Sequence, residues 1–234
     1  MTDDIVDHSI NFLNDYTTDR RGDIGSLLRL EAIQSARIIL QKESELKTRS
    51  TRAQKIVGCL CRLAAEKLDK VRIQAWLGLQ SFWESAEDFP PLQRQAFVIA
   101  NLSGCLADFS RKYDHFSHVS FPDYFVQLLE LQAIDWLRLP LYQGLATSAV
   151  AGAEGLIRAS RLALVQCINS KKAEQREAML PMILKDLSTI LSENLQDDRF
   201  AIPIMELLAF LVDGYISSIP EGSEQMSVPC LSSS

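Results

Sequence analysis

The chain has few of the residues that interrupt helices, because its 234 residues include only 10 glycines and 8 prolines. A many-stranded sheet needs frequent turns, which these two residue types usually supply, so a helical fold is favoured. Lysine and arginine form no long run and are outnumbered by acidic residues, which gives a net charge of -6. Nucleic acid, whose binding depends on many cationic contacts with phosphate, is therefore not an expected partner.

Long hydrophobic runs are also lacking, since no uninterrupted apolar stretch approaches the roughly 18 residues of a membrane span. The acidic start MTDDIVDH does not resemble a secretory leader, which begins with basic and then apolar residues. A disulfide framework is not expected, because the cysteines are odd in number and irregularly placed: Cys59, Cys61, Cys105, Cys167 and Cys230. These features predict a cytoplasmic protein with no membrane partner.

The chain does contain apolar residues at helical spacing. They recur over 51–67, and Asp69 stands where a second helix would begin. Arg29 and Arg72, about 43 residues apart, each follow an apolar residue and precede an alanine by three positions, a spacing within the range of HEAT and armadillo repeats. We predict an all-α fold, a HEAT-like or armadillo-like solenoid of stacked helix pairs. In such a fold, an acidic residue near a helix start can pair with the arginine of an adjacent repeat.

One helical-repeat domain is predicted over 1–216, and the tail over 217–234 has too few apolar residues to fold and is expected to be disordered. The first helix carries an apolar stripe suited to a preceding helix, which predicts that the chain is a fragment of a longer one; the stripe consists of Ile5, Val6, Ile10, Phe12 and Leu13.

The later helices are predicted from their prolines and small residues. Pro140 and Pro203 are each expected in the first turn of a helix, where a missing N–H costs least. Small residues from Gly144 to Gly152 are expected to allow close helix packing. The segment IPIMELLAFLVDGYI is apolar nearly all round, which predicts an inner helix covered by its neighbours.

The segment DYTTDRRGDIG, from Asp15 to Gly25, carries five charges between two apolar helices. A structural interpretation makes Asp23 or Ser26 the helix cap, uses the glycines for positive φ and pairs the arginines with an adjacent repeat. A recognition interpretation exposes the charged groups to a protein partner, and the two roles can coexist. The candidate partner-binding residues are Asp15, Tyr16, Thr17, Thr18, Asp19, Arg20, Arg21 and Asp23.

Sites for catalysis, metals or cofactors are not expected. No phosphate-binding GxxxxGK[ST] motif occurs, and the aspartates of the charged segment recur every fourth residue, whereas a calcium-binding EF-hand loop needs ligands every second residue. Cys59 and Cys61 would point to different sides of a helix and could not share one metal ion. An all-helical hydrolase remains a third hypothesis, and it would depend on His115 or His118, which need a nearby carboxylate such as Asp114 to bind zinc.

Four segments follow the pattern of a known family in order and spacing: DYTTDRRGDIGSLLR (15–29), AAEKLDKVRIQA (64–75), LPLYQGLATSAVAGAEGL (139–156) and LSENLQDDRFAIPIMELLAFLVDG (191–214). The chain resembles the C-terminal domain of the tubulin-folding cofactor D family, also called tubulin-specific chaperone D. The region 89–120 does not match that pattern.

The resemblance implies a non-catalytic, cytoplasmic chaperone associated in part with microtubules. It implies binding to β-tubulin and αβ-tubulin, and assembly or disassembly of the dimer together with other tubulin-folding cofactors and an Arf-like small GTPase. It also implies that the GTP hydrolysis stimulated in this process belongs to tubulin. The alternative hypothesis is a generic HEAT-type scaffold or trafficking adaptor with no tubulin role, which fits the same periodicity.

Overall fold

The computed structural model of the chain describes residues 3–45, 51–84, 121–170 and 173–216. In these ranges, nine α-helices pack against one another, and the predicted all-α, solenoid-like fold is confirmed. The helices are α1 (Asp3–Leu13), α2 (Gly25–Glu45), α3 (Thr51–Ala64), α4 (Asp69–Glu84), α5 (Phe121–Leu129), α6 (Asp135–Val150), α7 (Glu154–Asn169), α8 (Ala173–Glu193) and α9 (Asp198–Ile216). The predicted tail over 217–234 and the histidines His115 and His118 lie outside the described residues.

Short elements join some of the helices. A 3₁₀ turn, Glu130–Ala133, connects α5 to α6. Two strands of two residues each, β1 (Thr18–Asp19) and β2 (Gly22–Asp23), form an antiparallel hairpin between α1 and α2. None of the described helices combines the length and the apolar character that a membrane span requires.

The helices pack in two rows. In one row α1 contacts α3, α3 contacts α6, and α6 contacts α9. In the other row α2 contacts α4 and α5 contacts α7, while the rings of Trp76 in α4 and Tyr124 in α5 meet edge to face with centroids 5.7 Å apart. The α8 helix packs on α6, α7 and α9. The buried apolar side chains between the rows form a continuous core.

The turn between α3 and α4 lies at the centre of this packing. The last carbonyl groups of a helix have no partner within the helix, so other groups must satisfy them when they are buried. Here the Tyr124 hydroxyl donates to the Ala64 carbonyl at 2.6 Å, the Ser148 hydroxyl to the Ala65 carbonyl at 2.5 Å, and the Arg72 guanidinium to the Glu66 carbonyl at 2.6 Å. Side chains from α4, α5 and α6 therefore fix this turn.

Close contact between α3 and α6 depends on Gly144, as the small residues predicted. A Cβ atom at this position would lie 2.0 Å from the Arg62 carbonyl oxygen and 2.9 Å from the Ala65 Cβ. Gly152 has a different role, because it lies in the turn after α6 with φ of 122°, a conformation that favours glycine.

The predicted positions of two prolines are wrong. The α6 helix begins at Asp135 and α9 at Asp198, so Pro140 and Pro203 lie inside their helices rather than in the first turn. Each proline removes one helical hydrogen bond, yet the preceding turns carry buried side chains such as Leu137 and Phe200. The burial of these side chains extends each helix toward its N-terminus despite the lost bond.

The prediction that α9 is covered all round is also wrong. Its residues Ile202, Met205 and Val212 are 46%, 50% and 40% exposed, whereas Ile204 and Leu207 are buried. Among the described helices, α9 packs mainly on α6 and α8, which cover only one of its faces. The apolar stripe of α1 is divided in the same way: Val6 and Leu13 are buried, and Ile5 and Phe12 are 52% and 45% exposed. Whether the chain is a fragment stays a prediction.

Candidate partner-binding site

The charged segment predicted as a candidate site forms the β1–β2 hairpin. Thr18 pairs with Asp23, and Asp19 pairs with Gly22, whose φ of 109° explains the glycine at this tight reversal. The Asp19 carboxylate accepts hydrogen bonds from the Arg21 backbone N–H at 2.7 Å and from Arg21 Nε at 2.9 Å. These bonds hold the pKa of Asp19 below its usual value. The tip of the hairpin is therefore ordered by its own side chains.

Asp15 begins the segment and closes its base. The Asp15 carboxylate accepts the Thr17 backbone N–H at 2.8 Å, which lowers the pKa of Asp15, and the Asp15 carbonyl accepts a bond from the Arg29 guanidinium at 2.5 Å. Gly25 donates its backbone N–H to the Thr17 carbonyl at 2.9 Å. A Cβ atom at Gly25 would lie 2.5 Å from Asp15 Oδ1, so the close approach of the two ends requires glycine.

Asp23 ends the hairpin and caps α2. Its Oδ1 accepts the backbone N–H of Ser26 at 3.0 Å, which satisfies one of the free donors at the helix start. The same carboxylate pairs with the Arg29 guanidinium at 2.7 Å. The structural interpretation of Asp23 as a helix cap is thus realised in this structure, and the cap is also an ion pair.

Arg29 holds the hairpin to the centre of the molecule. Its side chain is fully buried, and Nη2 lies 2.9 Å from Oε1 of Glu66 in the α3–α4 turn. Burial raises the pKa of Glu66, while the charges of Arg29 and Arg62 oppose that rise. Arg72, the second arginine of the predicted repeat, is also fully buried and pairs with Asp69 at the start of its own helix.

Tyr16 connects four parts of the chain. The guanidinium carbons of Arg29, Arg62 and Arg199 lie 4.1, 5.3 and 5.4 Å from the centre of its ring, within the range of cation–π attraction. Phe200 meets the ring edge to face at 5.4 Å, and the Tyr16 hydroxyl donates to Glu66 at 3.3 Å. Burial raises the pKa of Tyr16. The α9 helix thereby contacts the hairpin that precedes α2.

The structure places the predicted site residues in two groups. The hairpin base consists of Asp15, Tyr16 and Asp23, which contact Arg29, Glu66 or both. The hairpin tip is exposed; it contains the predicted residues Thr17, Thr18, Asp19, Arg20 and Arg21, together with Gly22. The Arg21 side chain is 81% exposed although it pairs with Asp19. Partner binding by these residues stays a prediction.

The supporting residues Glu66, Arg62, Arg199 and Phe200 were not found from the sequence. Glu66 stands among other charged residues in EKLDK, where nothing distinguishes the buried acid from an exposed one. Arg62 donates to the Leu13 carbonyl at 2.9 Å and to Asn14 Oδ1 at 2.6 Å, contacts that depend on the packing of α1 on α3. The spacing of Arg29 indicated that it is a repeat residue, but it did not identify Glu66 as the partner of Arg29.

The described residues place candidate metal ligands, thiols and exposed polar groups in different surroundings. No group of three or more His, Cys, Asp or Glu side chains in this part of the chain is placed to hold a metal ion. Cys61 is buried in the core, and burial raises the pKa of its thiol. The hairpin tip has exposed guanidinium and hydroxyl groups, and its base is held by the ion pairs of Arg29 with Asp23 and Glu66.

Comparison with known proteins gives one family. The family model described as tubulin folding cofactor D C terminal matches residues 54–232, which include most of α3 and all of α4 to α9. The three segments at 64–75, 139–156 and 191–214 lie inside the match, whereas the hairpin segment at 15–29 lies upstream of it. No solved structure matches the chain. The chain belongs to the tubulin folding cofactor D family, as a form of its C-terminal domain, and its role is in tubulin folding.

Proposed function

We propose that this chain is a non-catalytic chaperone module that binds β-tubulin and the αβ-tubulin dimer. It acts with other tubulin-folding cofactors and an Arf-like small GTPase to assemble or take apart the dimer in the cytoplasm, partly at microtubules. Membership of the tubulin folding cofactor D family is the observation that carries this proposal. The helical solenoid supports it, because stacked helices build extended surfaces for protein partners.

The hairpin tip is the proposed contact with the partner. Arg20 and Arg21 are exposed, and the base below them is fixed to the α3–α4 turn by the buried Arg29–Glu66 pair. A rigid base reduces the entropy that a loop loses on binding, so exposed cations at its tip gain affinity. Two aspartates of the base are already paired or capped internally, whereas both arginines of the tip are exposed.

Stimulation of GTP hydrolysis is proposed to occur in tubulin. In this model the solenoid binds one conformation of tubulin more tightly than another, and it shifts the equilibrium by that difference in affinity. The chain supplies shape and differential binding, and the nucleotide chemistry remains in the bound partner.

The test is co-migration of the full chain with purified αβ-tubulin on a sizing column, alone and with the other cofactors and the Arf-like GTPase. The Arg20→Ala/Arg21→Ala variant is compared with Arg158→Ala/Arg176→Ala, a control that removes two exposed arginines from α7 and α8. We expect the hairpin variant to lose tubulin binding and the control to retain it.

Two other outcomes have distinct meanings. Equal binding by both variants would remove the hairpin tip from the interface while supporting the tubulin role. Absence of binding by every folded variant, with and without the other components, would contradict the tubulin proposal and favour the general scaffold.

A further inference from the structure

A groove of about 470 Å³ opens on the surface of the row formed by α1, α3 and α6. Its walls are Ile10 of α1, Lys55 and Cys59 of α3, and Trp136 and Pro140 of α6. Gly58 of α3 also lines the groove, and a Cβ added there would lie 3.5 Å from Pro140 Cγ, at ordinary van der Waals distance. It lies beside the hairpin but does not include the hairpin tip.

The charges of the groove have one sign. Its charged lining residues are Lys55, which is exposed, and Arg62, and no described residue that lines it carries a carboxylate. The remaining polar lining consists of the amide side chains of Asn14, Gln54 and Gln143. A cationic groove on a chain whose net charge is -6 is complementary to an anionic partner.

One side-chain nitrogen beside the groove lacks a hydrogen-bond partner among the described residues, and one backbone carbonyl lacks its usual helical partner. Arg62 is 6% exposed, and its Nε is buried without a hydrogen-bond partner, although its Nη2 donates to Leu13 and Asn14. Pro140 has no N–H, so the Trp136 carbonyl cannot receive the usual helical bond from the residue four positions later. Unpaired polar groups are costly when buried. Because Arg62 Nε has almost no exposed surface, the Trp136 carbonyl is the one of the two groups that a bound polypeptide could pair with.

Trp136 provides an apolar contact at the rim. It is 38% exposed on α6, and exposed tryptophans beside a concave surface are frequent anchors in protein interfaces. Ile10 and Pro140 extend the apolar surface on both walls. The groove thus combines an aromatic rim and apolar walls with the exposed cation Lys55 and the buried cation Arg62, which matches a segment that alternates acidic and apolar side chains.

We propose that this groove binds an acidic segment of a partner protein, with one apolar side chain of the segment against Trp136 and Pro140 and its carboxylates near Lys55 and Arg62. This interface is separate from the proposed contact at the hairpin tip. The two are adjacent, because Arg62 contacts the groove and also lies 5.3 Å from the centre of the Tyr16 ring. The inference does not depend on whether the hairpin tip binds tubulin.

The experiment measures fluorescence anisotropy of a labelled peptide of glutamates with a leucine at every fourth position, added to the full chain. Two further peptides replace all the glutamates with glutamine or with lysine. Lys55→Glu and Trp136→Ala are the test variants, and Lys185→Glu on α8 and Met205→Ala on α9 are their matched controls, since both control side chains are exposed away from the groove.

We expect the glutamate peptide to bind the unmodified chain and both controls, and Lys55→Glu and Trp136→Ala each to weaken binding about tenfold or more. The glutamine peptide should bind more weakly and the lysine peptide least, and raised salt should reduce binding of the glutamate peptide. Melting temperatures of Lys55→Glu and Lys185→Glu should agree, which separates lost binding from lost folding.

Three results would overturn the proposal: no binding of the glutamate peptide below about 1 mM, equal binding of the glutamate and lysine peptides, or equal losses in the groove variants and their controls. Lys55 is exposed, so Lys55→Glu is expected to fold even if Trp136→Ala does not. Failure of this peptide binding would leave the tubulin test of the hairpin tip unaffected.

Discussion

The base and the tip of the hairpin contain the same chemical groups in opposite surroundings. At the base, the guanidinium of Arg29 is fully buried and lies 2.7 Å from Asp23 and 2.9 Å from Glu66. At the tip, Arg21 pairs with Asp19 at 2.7 Å but is 81% exposed. The distance between the charged atoms therefore does not show which of these ion pairs contributes more to stability. Removal of one partner from a buried pair leaves a charge without solvent, whereas water replaces the partner of an exposed one.

The largest expected effect is at the base. Arg29→Met should reduce the free energy of unfolding by about 3–5 kcal/mol, because Glu66 and Asp23 lose their shared cation and Glu66 stays buried. Urea denaturation measures this loss, and Arg158→Met, at an exposed arginine of α7, should change stability by less than about 0.5 kcal/mol. Similar small effects for both variants would show that the buried pair does not stabilise the hairpin.

A second substitution tests the close approach of Gly25 to Asp15 and Thr17 at the base of the hairpin. Gly25→Ala should destabilise the fold by about 1–3 kcal/mol, since its Cβ would meet the Asp15 carboxylate at 2.5 Å and the Thr17 backbone nitrogen at 2.8 Å. Gly214→Ala in α9 is the control, because no atom lies within 4 Å of the added Cβ. The control should slightly stabilise the helix, so thermal melting should move in opposite directions for the two variants. A shared direction would contradict the close approach at Gly25.

A smaller effect should depend on pH through Glu66. Burial raises the pKa of Glu66 in the folded protein, so the folded state binds its proton more readily than the unfolded state does. The resulting stability is fully present below the ordinary pKa of 4.5 and is lost as pH rises through the raised value. Glu66→Gln lacks this titration.

The difference in unfolding free energy, unmodified chain minus Glu66→Gln, should therefore be largest below pH 4.5 and should decrease as pH rises. Urea denaturation at a series of pH values measures it. A difference that grows with pH would mean that the cations around Glu66 outweigh its burial.

The smallest effect is expected at the tip. Arg20→Ala/Arg21→Ala should change stability by less than about 0.5 kcal/mol, because both side chains are exposed and the Arg21–Asp19 pair is in water. Calorimetry of the variant measures this change. A loss of unfolding free energy above about 2 kcal/mol would show that the tip side chains stabilise the fold, and the contrast between tip and base would then not hold.

The helix pairs could be predicted from the sequence because their signal is local and repeated. Apolar spacing indicated α3 and α4, and the shared arginine spacing marked Arg29 and Arg72, which are the two largest fully buried side chains among the described residues. A residue pattern that recurs at the repeat period can indicate which side chains are buried, even when the residues that they contact are unknown. The small residue Gly144 was likewise informative, because close packing leaves few alternatives to glycine.

The contacts of the site could not be predicted, because they join residues far apart in the chain. Tyr16 meets Phe200 across nearly the whole described sequence, and neither residue carries a local pattern that names the other. The division of the charged segment into base and tip also depends on Glu66, whose burial follows from the docking of the α3–α4 turn. The prolines of α6 and α9 were misplaced because packing of the preceding turn outweighs a lost hydrogen bond.

The edge-to-face contact between Tyr16 and Phe200 has a consequence for biosynthesis. The hairpin is translated before α9, which is the last of the described helices in the chain. Such a distant contact closes slowly, because the chain must first lose the entropy of a long loop. The nascent hairpin therefore lacks its final aromatic neighbour until α9 has been translated and docked. The base of the proposed tubulin contact can therefore be complete only after α9 has been synthesised.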